Sequence, residues 1–157
     1  MKKKYPIMLV LLVCLDQVIK MIIHYFFMDV RVVYADIIGF QPFLNTTQMS
    51  IFNNELALQI QFDFLIILNL IAIALIPLLI FWLKKKNIMN IKLYNVFLFL
   101  SAGAVSSLVD KVFWGGSLDY FRIFSQITDL KDIYLVAGLI YYVIGAISEI
   151  KESKSKR

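Results

Sequence analysis

Four long apolar runs constrain this chain more than any other feature of its sequence. They cover residues 5–28, 64–83, 93–109 and 133–150. A helix needs about 20 mostly apolar residues to cross a bilayer core of about 30 Å. Each run approaches or exceeds that length, so the sequence predicts an all-α membrane protein with four transmembrane helices.

Composition supports the same class. The 157 residues are 61% hydrophobic and only 17% charged. A soluble domain carries about 25% charged residues and about 45–50% apolar ones. This excess of apolar side chains is difficult to cover with a water-facing surface, so a membrane environment is expected.

The basic residues predict how the four helices are oriented. Short loops rich in Lys and Arg stay on the cytoplasmic side of a membrane. Eleven of the 16 Lys and Arg residues form three clusters beside the apolar runs: Lys2, Lys3 and Lys4; Lys84, Lys85, Lys86 and Lys92; Lys151, Lys154, Lys156 and Arg157. Both termini are therefore expected in the cytoplasm, with outer loops at residues 29–63 and 110–132. Clusters placed this way do not predict a groove for nucleic acid.

The single cysteine and the single histidine exclude two kinds of chemistry. Cys14 cannot form a disulfide within one chain, and His24 would need several carboxylate partners to hold zinc. No metal and no cofactor is expected.

The first 14 residues also resemble a cleavable lipoprotein signal, with a basic start, an apolar stretch and a cysteine. Val13 stands where such a signal has a small residue, and the apolar run continues to residue 28. Both features favour an uncleaved first membrane helix.

The first outer loop contains signals for extended structure. Residues 30–34 are β-branched and aromatic, and residues 56–62 partly alternate between polar and apolar. We therefore expect a small β-containing outer-surface loop domain on the four helices. No repeat or linker divides the chain, so residues 1–157 are expected to form a single integral membrane domain.

Ionisable side chains at membrane depth are functional candidates, because their burial is costly. Asp16, Lys20 and His24 recur every four residues and so share one face of the first helix. Two interpretations stay open at this point. Asp16 and Lys20 either neutralise each other inside the bundle or take part directly in binding a substrate.

The second outer loop carries four acids: Asp110, Asp119, Asp129 and Asp132. Capping of a helix N-terminus would explain Asp129 or Asp132 alone. Asp119 lies in an apolar stretch, and it can meet Asp132 if the loop folds back on the membrane surface. Two close carboxylates share a proton, so one can activate water while the other protonates a carbonyl oxygen. The alternative is a loop of surface acids that cap helices and balance nearby cations.

Several short segments follow one another in a characteristic order. Residues 15–20 read Leu-Asp-Gln-Val-Ile-Lys, Asn45 precedes a Ser-Ile-Phe stretch at 50–52, and residues 108–111 read Leu-Val-Asp-Lys. Residues 119–121 read Asp-Tyr-Phe, and residues 129–132 read Asp-Leu-Lys-Asp. In order and spacing these segments resemble lipoprotein signal peptidase, also called signal peptidase II, an aspartic peptidase family of bacterial inner membranes.

The resemblance implies a catalytic pair and a set of supporting residues. Asp119 and Asp132 match the positions of the family's catalytic aspartates. The supporting residues that it implies, for the substrate backbone or for the pair itself, are Asp16, Lys20, Asn45, Ser107, Lys111 and Asp129.

Some positions depart from the family's pattern. Ser107 and Lys111 stand where the family has Asn and Arg, and Arg offers a planar fork that Lys does not replace. Asp129 stands in place of Asn and adds a negative charge beside the pair. Lys131 stands in place of a small residue and can offset that charge.

The function implied is cleavage before a lipid-modified cysteine, at the outer face of a bacterial cytoplasmic membrane. The expected partners are prolipoprotein signal peptides with a diacylglyceryl cysteine and membrane lipids, with the enzyme acting as a monomer. An alternative is a non-catalytic or divergent four-span protein that binds lipidated segments. A proton-coupled carrier is a third, and it would depend on Asp16, the acid deepest in a span.

Overall fold

The computed structural model describes residues 4–46 and 61–155, with side chains as far as Ser148. Within these ranges four helices are long and apolar enough to cross a membrane. The four predicted spans are confirmed as α1 (Lys4–Phe26), α2 (Phe62–Lys85), α3 (Ile91–Val109) and α4 (Leu130–Ser155).

The helix ends differ from the predicted ones, most visibly around the acids. α2 begins at Phe62 and α4 at Leu130, so Asp63 and Asp132 lie in first helical turns rather than in loops. A carboxylate is favourable there because it faces the positive end of the helix dipole. The assignment of Asp63 to a loop was therefore wrong, whereas Asp132 lies at the start of α4, as its expected role at a helix N-terminus requires.

α3 continues into a single π-helical turn, Asp110–Trp114, and then stops. Gly115 follows it in the left-handed conformation, with φ +63°. Glycine adopts this backbone without a steric penalty, so it ends the helix and turns the chain. The turn brings the next segment back across the end of the bundle.

A four-stranded antiparallel sheet lies at the end of the bundle where α3 stops and α4 begins. Its strands are β1 (Val32–Tyr34), β2 (Ile38–Asn45), β3 (Ser117–Ile123) and β4 (Gln126–Thr128), in the order β1-β2-β3-β4. The predicted small sheet is thus confirmed, but it takes two strands from each loop. The extended segment expected at 56–62 lies outside the described residues up to residue 60, and Phe62 already begins α2.

The helices pack around α3, which contacts each of the other three. A Cβ atom added at Gly103 would lie 2.6 Å from Leu135 Cδ2, so a larger residue there would displace the Leu135 side chain or separate α3 from α4. Tyr134 donates a 3.0 Å hydrogen bond to the Leu12 carbonyl and ties α4 to α1. The first turn of α4 is therefore held close to both α1 and the end of α3.

Burial in this fold is inverted relative to a soluble protein. Among the described residues, the fully buried side chains of largest volume are Lys20, Leu118, Asp16, Asp110, Asp129 and Ser106. Large apolar side chains point outward instead, among them Leu11, Leu78 and Leu139, each about 60% exposed. An apolar exterior around a charged interior suits a chain surrounded by lipid.

Candidate active site

Lys20 holds three helices together at one buried point. Its ammonium group lies 2.9 Å from Asp16 on its own helix, 2.6 Å from Asp110 at the end of α3, and 2.7 Å from Asp129 before α4. Lys20 and Asp16 have no exposed side-chain surface, and Asp110 has 1%. Paired and hydrogen-bonded charges are the form in which ions are tolerated at such depth.

Gln17 extends this cluster toward the end of the bundle. Its amide nitrogen donates to Asp110 at 2.8 Å and to Asp16 at 3.0 Å. Its carbonyl oxygen accepts a 3.1 Å bond from the Trp114 indole nitrogen. The Asp-Gln pair at 16–17 therefore fixes the orientation of Asp110 as well as that of Lys20.

Asp129 connects the buried cluster to the start of α4. One of its oxygens lies beside Lys20 and Lys131, and the other accepts a 3.2 Å bond from the backbone amide of Asp132. Burial alone would raise the pKa of Asp129, but the two ammonium groups hold that pKa below its ordinary value. Asp129 is therefore ionised and caps α4, the role that its position in the sequence allowed.

Asp119 is positioned by the pairing of β3 with β2. In the register of the sheet, Asn45 lies opposite Ser117 and Phe43 lies opposite Asp119. Ser117 donates a 2.6 Å hydrogen bond to one oxygen of Asp119, and the Asn45 amide donates a 3.3 Å bond to the other. The side chain is 7% exposed, and this burial raises the pKa of Asp119. The proximity of Lys131 opposes that rise.

Asp132 meets Asp119 although the two lie on different elements. Carboxylate oxygens of Asp119, Asp129 and Asp132 all lie within 4.8 Å of one another. Asp132 is 41% exposed at its side chain, whereas Asp119 is buried. The pair is thus open to water from one side and enclosed on the other.

Lys131 lies among these carboxylates. Its ammonium is bonded to Asp129 and lies 3.7 Å from Asp119 and 3.9 Å from Asp132. It also lies 3.4 Å from Asp110 and donates a 2.7 Å hydrogen bond to Ser117. The spacing of the three carboxylates would suit a cation, and the ammonium of Lys131 supplies the positive charge at that place.

Ser107 and Lys111 are brought together, one turn apart on the same face. The Lys111 ammonium donates a 2.7 Å hydrogen bond to the Ser107 hydroxyl. Within the described part of the chain, no carboxylate oxygen lies within ion-pair distance of Lys111.

Asp16 and Lys20 are 0% exposed and belong to the buried cluster. Their burial favours the bracing interpretation over direct contact with substrate. His24, the third member of that stripe, is exposed and packs edge-on against Trp114.

Four residues of the site were absent from the predicted set: Gln17, Asp110, Ser117 and Lys131. Gln17 lies in the segment 15–20 and Asp110 in the segment 108–111, so the family resemblance could have indicated both residues. Ser117 precedes Asp119 by two residues, and side chains two apart on a strand share a face. The segment 50–52, which formed part of the Asn45 motif, lies outside the described residues.

Comparison with known proteins gives a consistent result. The family model described as signal peptidase (SPase) II matches residues 8–148. No curated protein sequence matches the chain significantly.

Two solved structures, both described as bacterial membrane enzymes determined by the in meso method, share the fold. The one at 2.3 Å resolution is 19% identical with a TM-score of 0.75, covering 96% of this chain and 91% of its own. The one at 1.9 Å is 20% identical with a TM-score of 0.73, covering 92% of each chain. At such identities the likeness concerns the fold.

Proposed function

Because this chain belongs to the signal peptidase II family of membrane proteases, we propose that it is an aspartic endopeptidase that cleaves lipid-modified prolipoproteins. Asp119 and Asp132 are the proposed catalytic pair. One observation carries the proposal, namely that oxygens of these two carboxylates approach within 4.8 Å. Side chains 13 residues apart meet this way only if β3 and the first turn of α4 face each other.

The environment of the pair suits general acid–base chemistry. Two carboxylates at this distance do not both ionise easily and can share one proton. Burial of Asp119 disfavours its charged form, while the exposure of Asp132 lets water reach the pair. The pair can therefore hold an ionised carboxylate and a protonated one together.

The proposed reaction proceeds in two steps. The ionised carboxylate takes a proton from water as the water oxygen attacks the scissile carbonyl carbon. The protonated carboxyl gives its proton to the carbonyl oxygen, which forms a tetrahedral intermediate. When the carbon–nitrogen bond breaks, the amine leaves with a proton from the first carboxyl, and the hydroxyl proton returns to the second.

The supporting residues have separate proposed roles. Asn45 orients Asp119 through its 3.3 Å hydrogen bond, and Asp129 orients the Asp132 backbone by capping α4. Lys20 and Asp16 brace the site from α1, whereas Ser107 and Lys111 offer polar atoms to the substrate backbone. The proposed substrate carries a diacylglyceryl cysteine just after the cleaved bond.

We further propose that the site faces outward and that both termini are cytoplasmic. The basic clusters support this orientation, since their described members Lys4, Lys85 and Lys92 lie at the helix ends opposite the site. A signal peptide held in the bilayer would then present its cleavage point at the depth of Asp119 and Asp132.

Cleavage of a diacylglyceryl-modified prolipoprotein by the purified protein in detergent tests the proposal. Asp119→Asn and Asp132→Asn should each abolish cleavage while leaving folding and membrane insertion intact. Asp36→Asn is the matched control, because Asp36 lies in the turn between β1 and β2 with a side chain 92% exposed. Cleavage that survives either substitution in the pair would refute the assignment.

A second candidate function is supported by Lys131. Its ammonium lies within 4 Å of both members of the pair, and a cation there favours two ionised carboxylates without the shared proton. The protein would then bind lipidated signal peptides without cutting them. In that case the folded parent would retain the modified precursor on a column but leave it uncut, and Asp119→Asn would not weaken retention.

A further inference from the structure

A cavity of about 540 Å³ lies between α2, α3 and α4, at the end of the bundle remote from the aspartates. Its walls come from the last turns of α2, the first half of α3 and the middle of α4. A volume of this size is typical of a site for one small molecule, for which about 300–1,000 Å³ is usual. Nothing in the proposed reaction uses this cavity.

The cavity is apolar along its length and opens toward the membrane. Leu79 of α2 and Leu139 and Tyr142 of α4 line it, and these side chains are 45%, 61% and 55% exposed. α2 and α4 both pack on α3, so the space between them forms a groove with α3 as its floor. Gly145 lies at a point where the groove is open. A Cβ atom added there would have only ordinary van der Waals contacts, at 3.8 Å from atoms of Lys92.

Positive charge is confined to one end of the groove. Lys92 is the one charged side chain among the described residues that line the cavity. Lys84 lies in the last turn of α2, outside that lining, with its ammonium 5.4 Å from the centre of the Tyr94 ring. Among the carboxylates whose side chains are described, none lies within ion-pair distance of Lys84 or Lys92. Lys92 therefore places the positive charge of the groove at the level where the helices leave the membrane.

We propose that this groove binds a phospholipid with an anionic headgroup from the leaflet on that side. An acyl chain fills the apolar walls and needs no hydrogen bonds, and the phosphate lies against Lys92. Basic pockets between membrane helices recognise anionic lipid headgroups in this way. A phospholipid matches the groove because it has one charged end and is otherwise apolar. A bound peptide helix would not explain why the positive charge lies at one end of the groove.

Lipid binding by the full chain in neutral detergent tests this proposal. The unfolding midpoint and the lipid stoichiometry, the latter by native mass spectrometry, are measured with dioleoyl phosphatidylglycerol and with dioleoyl phosphatidylcholine. These two lipids have the same acyl chains and differ in the headgroup. We expect phosphatidylglycerol to raise the unfolding midpoint and to remain bound one per protein, and phosphatidylcholine to do so much less. Lys92→Gln should weaken phosphatidylglycerol binding about fivefold, the usual contribution of one basic residue near a lipid surface.

Two further variants separate the groove from general attraction to a basic face. Lys4→Gln is the matched control, because Lys4 is an exposed lysine at the same end of the bundle, at the start of α1. It should leave binding unchanged, whereas Gly145→Leu, which fills the groove and removes no positive charge, should abolish it. Equal stabilisation by both lipids, or equal losses in Lys92→Gln and Lys4→Gln, would overturn the proposal. So would stoichiometric displacement of the lipid by a prolipoprotein signal peptide, which would assign the groove to the substrate.

Discussion

The ammonium group of Lys131 donates a 2.7 Å hydrogen bond to the hydroxyl of Ser117. That hydroxyl donates a 2.6 Å bond to Asp119, so a cation in the first turn of α4 is coupled to a carboxylate on β3. Both interactions stabilise the ionised form of Asp119, in opposition to burial. The balance between them determines the pH range over which the proposed pair retains a proton.

Replacing Lys131 should shift the pH dependence of activity. In Lys131→Met the pKa of Asp119 rises, because the main group that lowers it is removed. The shared proton is then retained to higher pH, so the alkaline limb of kcat/KM for prolipoprotein cleavage should move upward.

Arg122→Met is the control for that experiment, since Arg122 is a cation of the same sheet that pairs with the exposed Asp36. An unchanged alkaline limb in Lys131→Met, with the protein folded, would show that Lys131 does not act on the pair. Activity gained at every pH would instead support the non-catalytic interpretation of the parent chain.

The way in which the stability of the fold changes with pH should also depend on the burial of Asp119. The pKa of Asp119 is raised in the folded state, so the folded protein holds this proton more tightly than the unfolded chain. As the pH rises through the raised pKa, a buried group must ionise, and the free energy of unfolding falls relative to a chain without it. The unfolding midpoint of Asp119→Asn minus that of the parent should therefore be greater at pH 8 than at pH 5.

Asp36→Asn provides the baseline for that comparison, because it makes the same chemical change at an exposed turn. A difference for Asp119→Asn that stays constant between the two pH values would contradict a raised pKa.

The charged residues of the buried cluster around Lys20 should contribute unequally to the stability of the fold. Lys20→Met leaves Asp16, Asp110 and Asp129 without their common cation, and breaking a buried ion pair costs about 3–5 kcal/mol. Asp16→Asn should cost less, since Lys20 keeps its two other carboxylates. Thermal unfolding in detergent measures both, with the exposed Lys4→Met as control. A loss in Lys20→Met no larger than in the control would remove the bracing role.

Two glycines of neighbouring helices should respond to alanine with opposite signs. In Gly103→Ala the new Cβ overlaps Leu135, and overpacking costs about 1–3 kcal/mol. In Gly145→Ala the Cβ has ordinary contacts, so the helix should gain about 0.5–1 kcal/mol from the lower backbone entropy of its unfolded state. Chemical unfolding compares the two, and Leu135→Ala should recover part of the Gly103→Ala loss. Equal effects at both positions would contradict the close approach of α3 and α4.

Structural elements were predictable where the residues of a single segment are enough to specify them. A membrane helix is recognised from the length of its own apolar run, so all four helices were predicted, with errors of a few residues at their ends. The two strands from the second loop were missed, because β3 is stabilised by pairing with β2 rather than by its own composition. Asp63 was assigned to a loop for a related reason, since its favourable environment is the end of α2 itself.

The sequence by itself determined the membrane class, the order of the spans, the family resemblance and the candidate pair Asp119 and Asp132. These depend on apolar length, on flanking charge and on motifs that keep their order along the chain. Only the tertiary structure decided that Lys20 reaches Asp129 from the opposite end of the chain and that Lys131 lies among the candidate carboxylates. Such contacts follow from how helices pack and how strands pair, and an ammonium group has no sequence signature for the carboxylate it will meet.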